Sequence, residues 1–95
     1  MRYSWDAAKS AANLRERGFD FAFATLVFAG PTVVAEDRRR DYGERRFVAI
    51  GLADALHLTV VFTDRVREDG DLERRIISAR QSNRSERQVY DERIT

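Results

Sequence analysis

The order of hydrophobic periodicities along this chain predicts an α+β fold: two N-terminal helices, a four-stranded antiparallel sheet and a C-terminal helix. Three observations lead there. Helix-capping residues and glycine stops cluster near the start. Alternating, β-branched segments fill the middle, joined by connections too short for the crossover that parallel neighbours require. A capping residue then opens a polar, helix-forming tail. The 95 residues are expected to form one domain, 1–95, near the lower size at which a single core supports folding. With 43% hydrophobic residues, that core can form, which argues against wholesale disorder.

The first helix is expected over residues 6–17. Ser4 or Asp6 can cap its amino end, Gly18 supplies the left-handed C′ residue, and Arg15 and Arg17 suit the last turn. Trp5, Ala8, Ala11 and Ala12 make a narrow apolar stripe that lets the helix pack closely, with Trp5 as a core anchor. A second helix is expected over 21–28, capped by Asp20 and stopped by Gly30-Pro31.

Residues 32–36 are β-branched and form a short strand, and 37–43 make a charged turn. Alternation over 45–52 predicts the second strand. Ala53-Asp54-Ala55 is a tight connection, 56–63 the third strand, 65–72 a polar hairpin loop and 74–79 the fourth strand. Ser82 is expected to cap the last helix, which runs through Tyr90.

Several function classes drop out early. There is no cysteine and one histidine, His57, so disulfides and the common His/Cys zinc sites cannot form. Gly18, Gly30, Gly43, Gly51 and Gly70 are scattered singly and make no phosphate-binding loop. His57 begins a strand and reads as a strand-edge residue rather than part of a catalytic triad. The opening residues lack the apolar stretch of a signal peptide. The longest apolar run, 21–29, is too short to span a bilayer. A cytoplasmic protein without metal or cofactor is expected.

The net charge is +1, yet all of the 17 basic side chains except Lys9 are arginine. Arginine's planar fork grips phosphate oxygens bidentately, which suits contacts to nucleic acid. Arg75 and Arg80 flank the last strand, Arg46 sits on the second with Glu44 two residues before it, and Arg84 and Arg87 lie three apart on the last helix. By strand alternation, Ile76 and Ser78 share one side and Arg75 and Ile77 the other. Arginines converging on one sheet face would neutralise the charge that grows on a phosphorus under attack. RNA carries its own nucleophile, the 2′-hydroxyl, so a site without histidine is chemically possible: Glu44 could accept the proton, with slow catalysis expected of so ordinary a base. The same spacing equally accommodates a Glu44–Arg46 ion pair and a solvated Arg84/Arg87 helix face. Residues 37–46, rich in both signs of charge, read as a solvated loop or as a flexible element beside a binding face.

Longer blocks add a resemblance. Tyr3-Ser4-Trp5-Asp6-Ala7-Ala8-Lys9, continued by Asn13-Leu14-Arg15 and Gly18, resembles the opening signature of the BrnT toxin family. The second helix ending in Val27-Phe28 is similar too, as are Gly43-Glu44-Arg45-Arg46-Phe47 running on to Ile50-Gly51, and Val60-Val61-Phe62-Thr63-Asp64-Arg65. Arg75-Ile76-Ile77-Ser78-Ala79-Arg80, followed by Glu86-Arg87 and Tyr90, is the most distinctive block. The resemblance implies a RelE-like ribonuclease toxin that arrests translation and growth. It implies neutralisation by a BrnA-like ribbon-helix-helix antitoxin, with operator DNA contacted only through that complex. Carried across by position, it implies catalytic roles for Glu44, Arg46, Arg75, Arg80 and Tyr90, and RNA contacts by Lys9, Arg65, Arg84 and Arg87. Three departures stand out: Arg17 where the family commonly has histidine, Phe62 where it often has tyrosine, and a longer 66–73 loop. A non-catalytic co-repressor is the competing expectation. It would separate Arg46, Arg75 and Arg80, or neutralise each with a carboxylate such as Glu44 or Glu86.

Overall fold

Asp6 divides the first two elements of the computed structural model, which describes residues 1–94. Before it, Arg2–Trp5 is extended and forms strand β1; after it, Ala7–Arg17 forms helix α1. The Asp6 carboxylate accepts the Lys9 backbone N–H at 3.0 Å, satisfying one of the donors left open at a helix start. Gly18 ends the helix at φ +86° and donates to the Leu14 carbonyl at 3.1 Å, a conformation glycine adopts without steric cost. Ser4 belongs to β1 and takes no part in the cap. Its hydroxyl donates to Glu73 at 3.1 Å.

The expected alanine stripe on α1 does not form. Ala8 and Ala11 are exposed and Ala12 only half-buried, while Ser10 and Asn13 are buried. Both are polar pins. The Asn13 amide donates to the Phe19 carbonyl at 2.9 Å, and the Ser10 hydroxyl accepts the Phe21 N–H at 3.0 Å. They fasten α1 to the start of α2 (Phe21–Ala24), whose cap is Asp20, accepting the Phe23 N–H at 2.8 Å. The second helix tightens after Ala24 into a 3₁₀ segment, Thr25–Ala29.

Four further strands follow: β2 (Val33–Asp37), β3 (Arg46–Ala53), β4 (Leu56–Val66) and β5 (Leu72–Gln81); helix α3 spans Arg84–Ile94. The sheet has five strands in the order β1-β5-β4-β3-β2, one more than expected. The additional strand, β1, runs parallel to β5 in an otherwise antiparallel sheet. The expectation of a purely antiparallel sheet considered only strands joined by short turns, and β1 meets its partner across nearly the whole chain. β4 and β5 also extend beyond the expected 56–63 and 74–79, with Val66 paired to Leu72, so the loop between them shortens to 67–71. Asp54 and Ala55, both at positive φ, make the two-residue β3–β4 turn, matching the right-handed twist of the flanking strands.

One sheet face is dry. Phe47, Ala49 and Ala53 from β3, Leu58, Val60 and Phe62 from β4, and Ile76 and Ala79 from β5 pack against Phe19, Phe21, Ala24 and Val27, with Trp5 half-buried beside them. The 3₁₀ segment approaches β3 so closely that a Cβ on Gly51 would lie 2.9 Å from Val27 Cβ and 3.0 Å from Thr32 Cγ2. The opposite face is covered at one end by α3. There the buried Tyr90 stacks edge-on against His57 with centroids 5.5 Å apart, and its hydroxyl donates to the Pro31 carbonyl at 3.1 Å. Asn83, rather than Ser82, caps α3. Its side chain accepts the Glu86 N–H at 2.9 Å and Glu86 accepts the Asn83 N–H at 2.8 Å, a reciprocal capping box. Ser82 is buried, with its hydroxyl 2.8 Å from that of Thr59.

Candidate ribonuclease site on the open sheet face

Residues five apart on a regular strand point to opposite faces, so Arg75 and Arg80 should diverge. A β-bulge prevents this. Val61 pairs with Ser78, but the next β4 residue, Phe62, pairs with Ile76, leaving Ile77 as the extra residue. Beyond that shift Thr63 pairs with Arg75, and before it Thr59 pairs with Arg80. Thr59 and Thr63 are four apart on β4, so both arginines share the face opposite the core. The bulge also corrects the expected sides of the neighbours: Ile76 joins the core face, whereas Ser78 faces the other way with the arginines.

Arg46 joins them from β3. It precedes Phe47, which pairs with Phe62, so Arg46 lies beside Thr63 in the row that ends at Arg75. Across the face, an Arg46–Thr63–Arg75 row and a Thr59–Arg80 row flank an uncharged Val48–Val61–Ser78 row. At about 3.3 Å per residue, the two arginine rows stand roughly 13 Å apart.

Each arginine has a different setting. The Arg80 guanidinium meets Glu86 end-on, Nη1 to Oε1 at 2.7 Å and Nη2 to Oε2 at 2.8 Å. This pairing with Arg80, with desolvation opposing and the Asn83 N–H assisting, holds the Glu86 carboxyl down at about 2. Arg46 Nε donates to Glu44 at 3.2 Å, and its guanidinium lies 4.2 Å from the centre of the Tyr42 ring. Glu44 also stands 3.7 Å from Arg65. Arg75 is in no ion pair among the described residues.

The loop between β2 and β3 is ordered around one carboxylate. Asp37, with only 2% of its side chain exposed, accepts Arg39 Nε and Nη2, each at 2.9 Å, the Arg39 backbone N–H at 3.2 Å and the Tyr42 hydroxyl at 3.1 Å. The hydrogen bonds from the Arg39 side chain, opposed by desolvation, hold the Asp37 carboxyl well below the usual carboxylate range. Arg40 lies 5.4 Å from the other partner of this knot, the Tyr42 ring. A groove of about 380 Å3 runs between this loop and α3, floored by Val48, Thr59, Val61 and Ser78 and edged by Arg38, Arg39, Arg80 and Glu86.

The structure thus brings together Glu44, Arg46, Arg65, Arg75 and Arg80 on one face and leaves the other expected residues off it. Tyr90 is committed to packing. Lys9 is exposed on α1, in the layer tied to the opposite face. Arg84 and Arg87 are exposed with Gln88 and Asp91 on an outward side of α3, about a quarter to half a turn around from Glu86. Arg17 serves the fold, donating to the Ala79 carbonyl at 2.7 Å. Phe62 is a core residue, on the sheet face opposite Arg46, Arg75 and Arg80. Reading the sequence alone missed Asp37, Arg39 and Tyr42. Their one local signal is the close spacing of a carboxylate, an arginine and an aromatic in a segment that otherwise reads as solvated charge.

Residues 5–86 match the family model described as "Ribonuclease toxin, BrnT, of type II toxin-antitoxin system". The chain belongs to the BrnT family. No curated protein matches it. Membership makes this a ribonuclease toxin class with a protein antitoxin as partner and RNA as substrate. Among the described residues no helix is long and apolar enough to cross a membrane.

Proposed function

We propose that this BrnT-family chain is a metal-independent endoribonuclease acting on RNA held against Arg46, Arg75 and Arg80. The observation that carries the reading is the β5 bulge, which turns Arg75 and Arg80 to the same face as Arg46. The 2′-hydroxyl attacks the adjacent phosphorus, and its proton passes to Glu44. The bond to the 5′-oxygen breaks, leaving a 2′,3′-cyclic phosphate and a 5′-oxyanion that a guanidinium stabilises until solvent protonates it. Arg75, which has no carboxylate partner among the described residues, is the arginine most available to a phosphate. Growth arrest in the cytoplasm follows from RNA loss. A BrnA-like ribbon-helix-helix antitoxin relieves it, and that antitoxin makes the complex's contacts to operator DNA.

A second reading, a non-catalytic co-repressor, is favoured by the pairing of Arg80 with Glu86 and of Arg46 with Glu44. Inducible expression separates the two. Wild type should arrest growth and degrade total RNA, and Arg75→Ala or Arg80→Ala, still soluble and folded, should relieve both. Soluble wild-type protein without arrest would leave the co-repressor as the better account.

A further inference from the structure

The geometry points to Glu86 as a positioning residue that aims Arg80 at the RNA phosphate; the inference rests on the ribonuclease reading above. Two roles compete for this carboxylate: an aimer that fixes the arginine, or a stand-in anion that substrate must evict. The anchoring of Glu86 decides between them. Its Oε1 also accepts the Asn83 N–H at 2.8 Å, completing the box that starts α3, and a carboxylate is favoured at a helix amino end. Only 19% of the Glu86 side chain is exposed, against 46% for Arg80. Glu86 is therefore held from its own helix whether or not Arg80 is present.

Arg80, in contrast, leaves β5 near its end and would sweep a wide arc without a partner. Its fork has five N–H donors. Glu86 takes one from each terminal nitrogen, and a long 3.4 Å contact reaches the Gln81 carbonyl. Nε has no hydrogen-bond partner among the described residues. An end-on carboxylate leaves the side edge of the guanidinium open, and a phosphate can take that edge bidentately while Glu86 stays in place. Both anions are then served by one cation whose position no longer costs side-chain freedom when substrate arrives.

Glu86→Gln tests this cleanly, because glutamine supplies the same acceptor to the Asn83 N–H and keeps the capping box. It replaces one carboxylate oxygen with an amide that repels the Arg80 donors. Cleavage of a fluorophore–quencher single-stranded RNA should show kcat lower by about tenfold with KM within about twofold. Arg80→Lys, which lacks the planar fork, should be slow, and adding Glu86→Gln to it should cost nothing more. Thermal unfolding of each variant checks that the fold persists. An unchanged kcat in a folded Glu86→Gln protein would reduce Glu86 to a helix cap and overturn the proposal. Faster turnover or a lower KM would overturn it in the opposite sense, making Glu86 a competitor of substrate. Intact RNA with wild type would refute the ribonuclease reading itself, and this inference with it.

Discussion

Arg74 and Arg75 are neighbours whose side chains lie on opposite faces of β5, and their alanine variants should fail in opposite ways. Arg74 grips Asp64 bidentately, Nε to Oδ1 at 2.8 Å and Nη2 to Oδ2 at 2.9 Å, while its guanidinium lies 4.6 Å from the Phe28 ring centre and 4.2 Å from that of Phe62. Its side chain is 20% exposed. Two cation–π contacts at about 0.5–1 kcal/mol each and a partly screened ion pair of up to about 1 kcal/mol make Arg74→Ala destabilising by about 2 kcal/mol. For a domain of this size that lowers Tm by roughly 10 °C. Arg75 has no such partners, so Arg75→Ala should change stability by less than about 0.5 kcal/mol. It should instead weaken RNA binding and reduce the slope of log affinity against log salt by about 0.7, the loss of one phosphate contact to a single strand. Thermal unfolding by circular dichroism and anisotropy of a labelled single-stranded RNA at several salt concentrations read the two effects separately. Early unfolding by Arg75→Ala, or a salt slope altered by Arg74→Ala and not by Arg75→Ala, would refute the assignment of faces made by the bulge.

Two further outcomes concern the scaffold. Gly51→Ala drives a methyl into Val27 and Thr32, at 2.9 and 3.0 Å, and should cost about 1–3 kcal/mol by overpacking; a urea midpoint equal to wild type would contradict the close approach. Glu86, held at about 2 against an ordinary 4.5, has a depressed folded-state value, so its stabilisation is fully present above about 4.5 and is lost as pH falls toward 2. Urea unfolding across that interval should show the loss, and a Glu86→Gln protein with an equally steep acid dependence would exclude Glu86 as its source.

Local chemistry made much of this fold legible. Asp6, Gly18, Asp20 and Gly30-Pro31 bracket the first helices because caps and stops act within a few residues of where they sit. The alternation read over 45–52 holds within β3 because one sheet face is dry and one is not. What escaped the sequence is set by partners far along the chain. Strand β1 has four residues, ends immediately at a helix cap, and pairs with a strand from the other end of the molecule. The bulge at Ile77 carries no glycine to announce it, so alternation assigned Ser78 to the wrong face, although the arginines around it were legible as candidates. Tyr90 had the composition of a site residue and the position of a packing residue. Asp37 is the inverse, since an aspartate among arginines reads as solvated until the Tyr42 hydroxyl and the Arg39 fork are seen closing over it.

The parallel pairing of β1 with β5 has a consequence for how the chain assembles. Hairpins β3–β4 and β4–β5 close short loops and can form as soon as their strands exist, whereas Arg2 must find Glu73 and Trp5 must find Ile76. Contacts that close long loops are the slow ones, because the chain loses that entropy before any contact offsets it. β1 therefore stays unpaired until β5 has formed, and Ser4 meets Glu73 only after the whole segment between them has been made. The arginine face depends on the same late strand, since Arg75 and Arg80 both lie on β5. The face that carries Arg46 is thus unfinished until β5 has paired with β4.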